Sequence, residues 1–188
     1  MRLPNATQRN FFVTVAAVAL AFILLQPAAS ADVADSGPGG FTVKVTAHIH
    51  AAPSDVYQRL VHNIGDWWSP AHTFSGDPHN LKIDERPQGC FCETLKTGAV
   101  RHMEVIYYEP GKVLRMSGGM GPLQALPVTV VATFTLAPDS DGTRLELVYT
   151  LGGYSPQGLA GLAPILDRVM TEQIGRLKSY VETGKPSA

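Results

Sequence analysis

Cysteine is scarce, with two in 188 residues. Two cannot staple a small disulfide scaffold, so the chain must fold on a hydrophobic core. Charge is sparse and balanced: 15 Lys plus Arg face 16 Asp plus Glu, for a formal net charge of −1. A balance of that kind supplies no field to draw in a polyanion, which argues against nucleic acid as a partner. Gly-rich phosphate loops, nucleophile–base signatures and paired metal-ligand motifs are missing, as are internal repeats. Neither a metal nor a cofactor is expected.

Long apolar runs are missing too, apart from one near the start. Phe11 to Leu25 is apolar except for Thr14, Arg2 and Arg9 precede it, and Gln26-Pro27 breaks it before the small-x-small triplet Ala29-Ser30-Ala31. Residues 1–31 read as a secretory signal cleaved before Asp32. The run is short for a membrane span, which takes about 20 residues, so an uncleaved anchor is the lesser reading. The rest of the chain holds no second span and would be periplasmic or secreted. Losing Arg2 and Arg9 makes it slightly more acidic, again no match for nucleic acid.

What remains is patterned. Residues 32–40 (DVADSGPGG) read as a flexible leader. Phe41, Val43, Val45, Ala47 and Ile49 alternate with polar residues, the period of a half-buried strand. Pro53 opens a helix striped by Val56, Tyr57, Leu60, Val61 and Ile64, and Asp66-Trp67-Trp68 follows as a short second helix or turn. His72–Pro87 reads as a weak strand pair broken near Gly76. Cys90–Leu95, Val100–Tyr108 and Val113–Met120 read as strands, with turns at Thr97-Gly98 and Glu109–Lys112. Val128–Leu136 and Arg144–Leu151 form the clearest hairpin, around Asp139–Gly142. A long amphipathic helix runs from Leu159 to Val181, with a kinked start near Gly161 and Pro164. This order predicts an α+β fold in which one antiparallel sheet buries the stripe of the long helix.

At this point the chain resembles the START-like superfamily, also called SRPBCC or helix-grip proteins, over residues 41–182. Ile49-His50-Ala51-Ala52-Pro53-Ser54-Asp55-Val56-Tyr57 is similar to its strand-to-helix opening. Asp66-Trp67-Trp68-Ser69-Pro70 with His72–Gly76 resembles a segment of the branch related to polyketide cyclases and the activator of the heat-shock chaperone ATPase. Gly89-Cys90-Phe91-Cys92-Glu93, Pro110–Leu114 and Gly142–Leu145 match further motifs of that branch, although Gln88 stands where it has a glycine. The resemblance implies a curved sheet wrapped around the C-terminal helix, with a mostly apolar pocket between them. Residues 183–188 would be a tail. Such a fold hosts carriers, cyclases and receptors alike, so it does not choose a function. An exported chain would not meet a cytosolic chaperone.

Several residues carry competing readings. Trp67 and Trp68 either pack beneath the short helix or wall the pocket, and adjacency on a helix lets at most one point fully inward. Cys90 and Cys92 share one strand face; a disulfide between them needs strained geometry, and core packing is the expected role over a redox one. His48 and His50 share a polar face, where solvation is the expectation and chelation the alternative. A turn at Thr97-Gly98 pairs Lys96 with Ala99 and sets Glu93 opposite His102. There Glu93 could orient His102 as a general acid or base, provided that their face lines the cavity; otherwise the two are a solvent-exposed cross-strand pair. Tyr57, Met116, Tyr149, Leu162 and Leu166 join the two tryptophans as candidate pocket residues. The expected function is binding or carriage of a small apolar or amphipathic ligand. The alternatives are a cyclase- or dehydratase-like enzyme using His102 with Glu93, and a partner-binding module at the cell envelope.

Overall fold

The computed structural model describes residues 30–187. Its strands are β1 (Ser30–Gly37), β2 (Gly40–Ile49), β3 (Leu81–Ile83), β4 (Cys90–Leu95), β5 (Gly98–Glu109), β6 (Val113–Gly118), β7 (Val128–Asp139) and β8 (Gly142–Gly153). Helices α1 (Pro53–His62) and α2 (Ile64–Trp67) lie between β2 and β3, and α3 (Ala163–Thr183) follows β8. The strands form one curved antiparallel sheet in the order β1-β2-β8-β7-β6-β5-β4-β3. This is the α+β layout expected from the pattern, in the helix-grip form that the family resemblance implied. The signal segment falls outside the described residues except at its last two positions, which open β1.

Register follows from the alternation of apolar residues. Val43 pairs with Tyr149, Tyr149 with Ala132, Ala132 with Met116, and Met116 with Val105, so one buried row crosses five strands. Helix α3 buries Met170, Ile174 and Leu177 and packs chiefly on β2 and β1. Hydrogen bonds fix its orientation. Arg176 Nε donates to the Trp67 carbonyl at 2.9 Å, Ser69 N–H donates to Gln173 Oε1 at 2.9 Å, and Lys178 Nζ donates to the His48 carbonyl at 2.7 Å. A kinked start takes the form of a 3-10 turn at Ala160–Leu162.

Two segments differ from the expectation. Residues 32–37 belong to β1, paired antiparallel with β2 around Pro38-Gly39, and are not a leader. Their composition is poor for a strand. However, β2 pairs with β8 on one side only, and main-chain bonding along its other edge needs no particular side chains. In place of a strand pair over His72–Pro87, 3-10 turns at Pro70–His72 and Pro78–Asn80 and the three-residue β3 occupy this region, because the prolines that start those turns leave few alternating positions.

The hairpin of β4 and β5 is also displaced. Leu95 pairs with Gly98, so the turn is Lys96-Thr97, and Glu93 faces Val100 rather than His102. Beyond it Cys92 pairs with Arg101 but Phe91 pairs with Met103, which leaves His102 as an extra residue in a β-bulge. The bulge breaks the alternation: His102 and Met103 are adjacent and both buried. Gly118 of β6 makes room for it. A Cβ on Gly118 would lie 2.7 Å from the His102 carbonyl oxygen and 2.9 Å from Met103 Cα, at a backbone φ of 153°. Gly118→Ala is therefore expected to destabilise the fold by roughly 1–3 kcal/mol, measured as a lower urea midpoint at neutral pH.

Candidate functional site

Between the sheet and α3 lies a cavity of about 410 Å³. Its walls are almost wholly apolar, and Phe74 and Ile165 on its lining are 54% and 46% exposed, which marks its mouth. Sequence candidates Trp68, Tyr149, Leu162, Leu166 and His102 all line it. Four others do not: Glu93, taken up below with His102, and Tyr57, Met116 and Trp67. Tyr57 sits on α1, which packs against β3, β7 and β8, and its hydroxyl donates to Glu85 at 2.8 Å. Met116 is packed in the sheet row beyond Ala132. Trp67 turns beneath α2, where its Nε1–H donates to the Arg59 carbonyl at 3.0 Å, and it borders only a small inner recess. Both tryptophans are nevertheless buried. Helix α2 ends at Trp67 and Trp68 is extended (ψ 142°), so the helical restriction to one inward side chain does not apply.

Other wall residues went unmarked in the sequence. Phe74 comes from the loop before β3, Met120 and Leu123 from the segment after β6, and Val169 and Met170 from α3. The α3 pair could have been read from the helical stripe. The loop residues have no periodicity to betray them. Cys90 and Cys92 also depart from the expectation of core packing: they are half-buried and joined as a disulfide, with Cα atoms 5.3 Å apart. His48 and His50 reach opposite oxygens of Asp141 at 3.3 and 3.1 Å on the outer surface, and none of the three lines the cavity.

Glu93 and His102 meet despite the altered register. They are 0% and 3% exposed, and His102 Nε2 lies 3.0 Å from Glu93 Oε2. Glu93 stands behind His102 and does not line the cavity. Its carboxylate also accepts from Phe74 N–H at 3.0 Å and Ser75 N–H at 2.5 Å. Burial pushes its pKa up, but the hydrogen bonds from Ser75, Phe74 and His102 outweigh it and hold the carboxyl below its ordinary range. Burial pushes His102 the other way, below its ordinary value, and the pull of Glu93 only partly offsets this. The pair at neutral pH is thus a carboxylate and a neutral imidazole. An ionised carboxylate only accepts, so Nε2 carries the proton and Nδ1 the lone pair. Nδ1 accepts from Gly121 N–H at 3.3 Å and faces Gln124 Nε2 at 3.4 Å. Phe74 and Phe91 flank the ring, with centroids 6.0 and 5.2 Å away.

A curved sheet gripping a helix around an apolar cavity defines the helix-grip fold. The chain belongs to the family described as polyketide cyclase / dehydrase and lipid transport, whose model matches residues 40–182. No curated protein matches the chain by sequence. Among solved structures, CalU16 from Micromonospora echinospora superposes with a TM-score of 0.56 at 16% identity, over 85% of this chain and 85% of that one. The Aha1 dimer from Colwellia psychrerythraea gives 0.57 at 15% identity, over 77% and 98%. A protein from Arthrobacter aurescens gives 0.57 at 17%, over 81% and 90%. At these identities the likeness speaks for the fold alone.

The buried pair makes stability depend on pH. As pH falls through the ordinary histidine value of 6.5, the unfolded chain takes up a proton that folded His102 still refuses. The unfolded state then binds more protons, so stability falls. Glu93 adds a second loss below its ordinary 4.5, because its folded carboxyl stays ionised to lower pH. Urea midpoints measured between pH 7 and pH 5 should fall, and fall less steeply in His102→Gln than in the parent.

Proposed function

We propose that this is an exported binding or carrier protein for a small hydrophobic or amphipathic ligand held in the internal cavity. The observation that carries the reading is the cavity itself. Its volume of about 410 Å³ is in the range of small-molecule sites, its wall is apolar, and exposed apolar side chains rim its mouth. Lipid transport in the family description supports the same reading. Export to the periplasm or beyond is supported by the Arg2–Ala31 segment. Among the described residues no helix is long and apolar enough to cross a membrane.

A cyclase- or dehydratase-like activity is the second reading, favoured by the neutral His102 on the cavity wall with Glu93 behind it. It ranks second because the imidazole lone pair needed to take a substrate proton already accepts from Gly121 N–H. In that arrangement His102 holds a loop, and chemistry would require the loop to let go.

Native mass spectrometry of the protein purified from its host is expected to show a co-purifying lipid or polyketide-like molecule. Leu166→Trp, which fills the cavity from α3, should abolish binding of an apolar fluorescent probe while circular dichroism stays that of a folded protein. Probe binding that survives in Leu166→Trp would place the ligand elsewhere and sink the carrier reading. N-terminal sequencing of the exported form should begin at Asp32. An intact Met1 on material recovered outside the cytoplasm would instead favour the anchor.

A further inference from the structure

Away from the cavity, three side chains able to ligate a metal meet on the outer surface: His48 near the end of β2, His50 just beyond it, and Asp141 in the turn between β7 and β8. One ligand atom from each lies within 4.8 Å of the other two. His48 Nε2 is 3.3 Å from Asp141 Oδ1, and His50 Nδ1 is 3.1 Å from Oδ2. Zinc bonds of about 2.0–2.2 Å at the tetrahedral angle put neighbouring ligands roughly 3.4 Å apart, so both nitrogen–oxygen separations already suit one ion. In the sequence the two histidines lack a third ligand, and the fold supplies it from a distant turn. The main chain holds that turn against them. Ile49 pairs with Thr143, whose Oγ1 donates to the Ala51 carbonyl at 2.7 Å. A Cβ on Gly142 would run into the Ile49 carbonyl oxygen and lie 3.1 Å from His50 Cα, so glycine lets the turn sit this close. From α3, Lys178 Nζ donates to the His48 carbonyl, and Glu182 Oε1 accepts from His50 N–H at 2.9 Å. The nearby cations have carboxylates of their own: Arg144 reaches Glu146 at 3.8 Å and Lys178 reaches Glu182 at 2.6 Å. The three side chains stay open to solvent, at 21%, 45% and 69% exposure in chain order.

We infer that His48, His50 and Asp141 form a surface site for a divalent transition-metal ion of the zinc type. Two imidazoles and one carboxylate are a donor set that such ions take, with water completing the coordination. Calcium and magnesium ions take oxygen ligands and gain little from two imidazoles. Ligands fixed by main-chain contacts before the ion arrives lower the ordering cost of binding. One local contact must be exchanged. His48 Nε2 also lies 3.3 Å from the Asp139 carbonyl oxygen, so on ligation it carries its lone pair toward the ion, with the ring proton on Nδ1, and leaves that oxygen to solvent. The bound ion ties the end of β2 to the β7–β8 turn. None of the three residues lines the cavity, so the site stands apart from the ligand-binding reading.

The test is calorimetric titration of the untagged full-length protein with zinc chloride, which should show one saturable site per chain. Calcium chloride at the same concentrations should neither bind there nor displace the zinc. His50→Ala and Asp141→Asn should each weaken zinc binding by about tenfold or more. His79→Ala, which removes another exposed histidine beside a carboxylate, should leave the affinity unchanged. Zinc should also raise the thermal unfolding temperature of the parent and not that of His50→Ala. Each protein is compared with and without zinc, so any effect of the substitution on the fold itself drops out. Absence of saturable zinc binding, parent affinity in His50→Ala and Asp141→Asn, loss of the site in His79→Ala, or calcium binding as tight as zinc overturns the inference. The cavity reading stands in every one of these cases.

Discussion

The site is organised around one buried carboxylate. Glu93 lies on β4 with no solvent exposure, and such a charge costs several kcal/mol unless hydrogen bonds replace its lost water. Three N–H groups do so, from Phe74, Ser75 and His102. Each donor commits something larger than itself. The amides of Phe74 and Ser75 bring the loop before β3 against the cavity mouth. His102 passes the constraint on, because a proton fixed on Nε2 leaves Nδ1 to accept from Gly121 N–H. Both loops that rim the cavity are thus tied to one side-chain pair. That pair exists only because the bulge in β5 turns His102 inward, and the bulge needs Gly118 opposite it.

Much of the frame was legible from the sequence, for reasons of periodicity. Strands β2, β7 and β8 alternate cleanly, and the stripe of α3 repeats at three and four. The partnership of Glu93 and His102 was legible too, though by a wrong route. The turn lies one residue earlier than Thr97-Gly98, and the two side chains meet through a bulge rather than as direct cross-strand neighbours. A bulge inserts one residue without changing composition. Its trace in the sequence is a conflict: plain alternation along residues 100–105 puts Glu104 on one face with Val100 and His102, and Arg101 on the other with Met103 and Val105. Strand β1 was illegible because only main-chain pairing makes it, and its residues favour turns and loops. The segment around Met120 was illegible because a loop held by a hydrogen bond to a distant histidine has no period. Even the two tryptophans misled, since the helix assumed to separate them ends between them.

The electrostatics separate positioning from proton transfer. A general base needs a free lone pair at the cavity surface, with a pKa near the working pH. His102 has a lowered pKa from burial, and its lone pair is committed to Gly121 N–H. Both properties suit a rigid hydrogen-bonding post. Exchange of that bond for a substrate proton would cost the loop its anchor, so catalysis and an ordered mouth compete for one nitrogen. A carrier faces no such competition, because apolar walls bind without moving protons.

The two buried polar features of this region differ in how the fold meets their cost. At Glu93 the buried charge is met by donors gathered from one strand and a loop. Tyr149, which lines the cavity, has a buried hydroxyl with no hydrogen-bond partner among the described residues, where phenylalanine would carry no unpaired donor. Stability alone would favour phenylalanine there. Burial of Glu93 is thus matched by hydrogen bonds, whereas burial of the Tyr149 hydroxyl is a cost the fold carries.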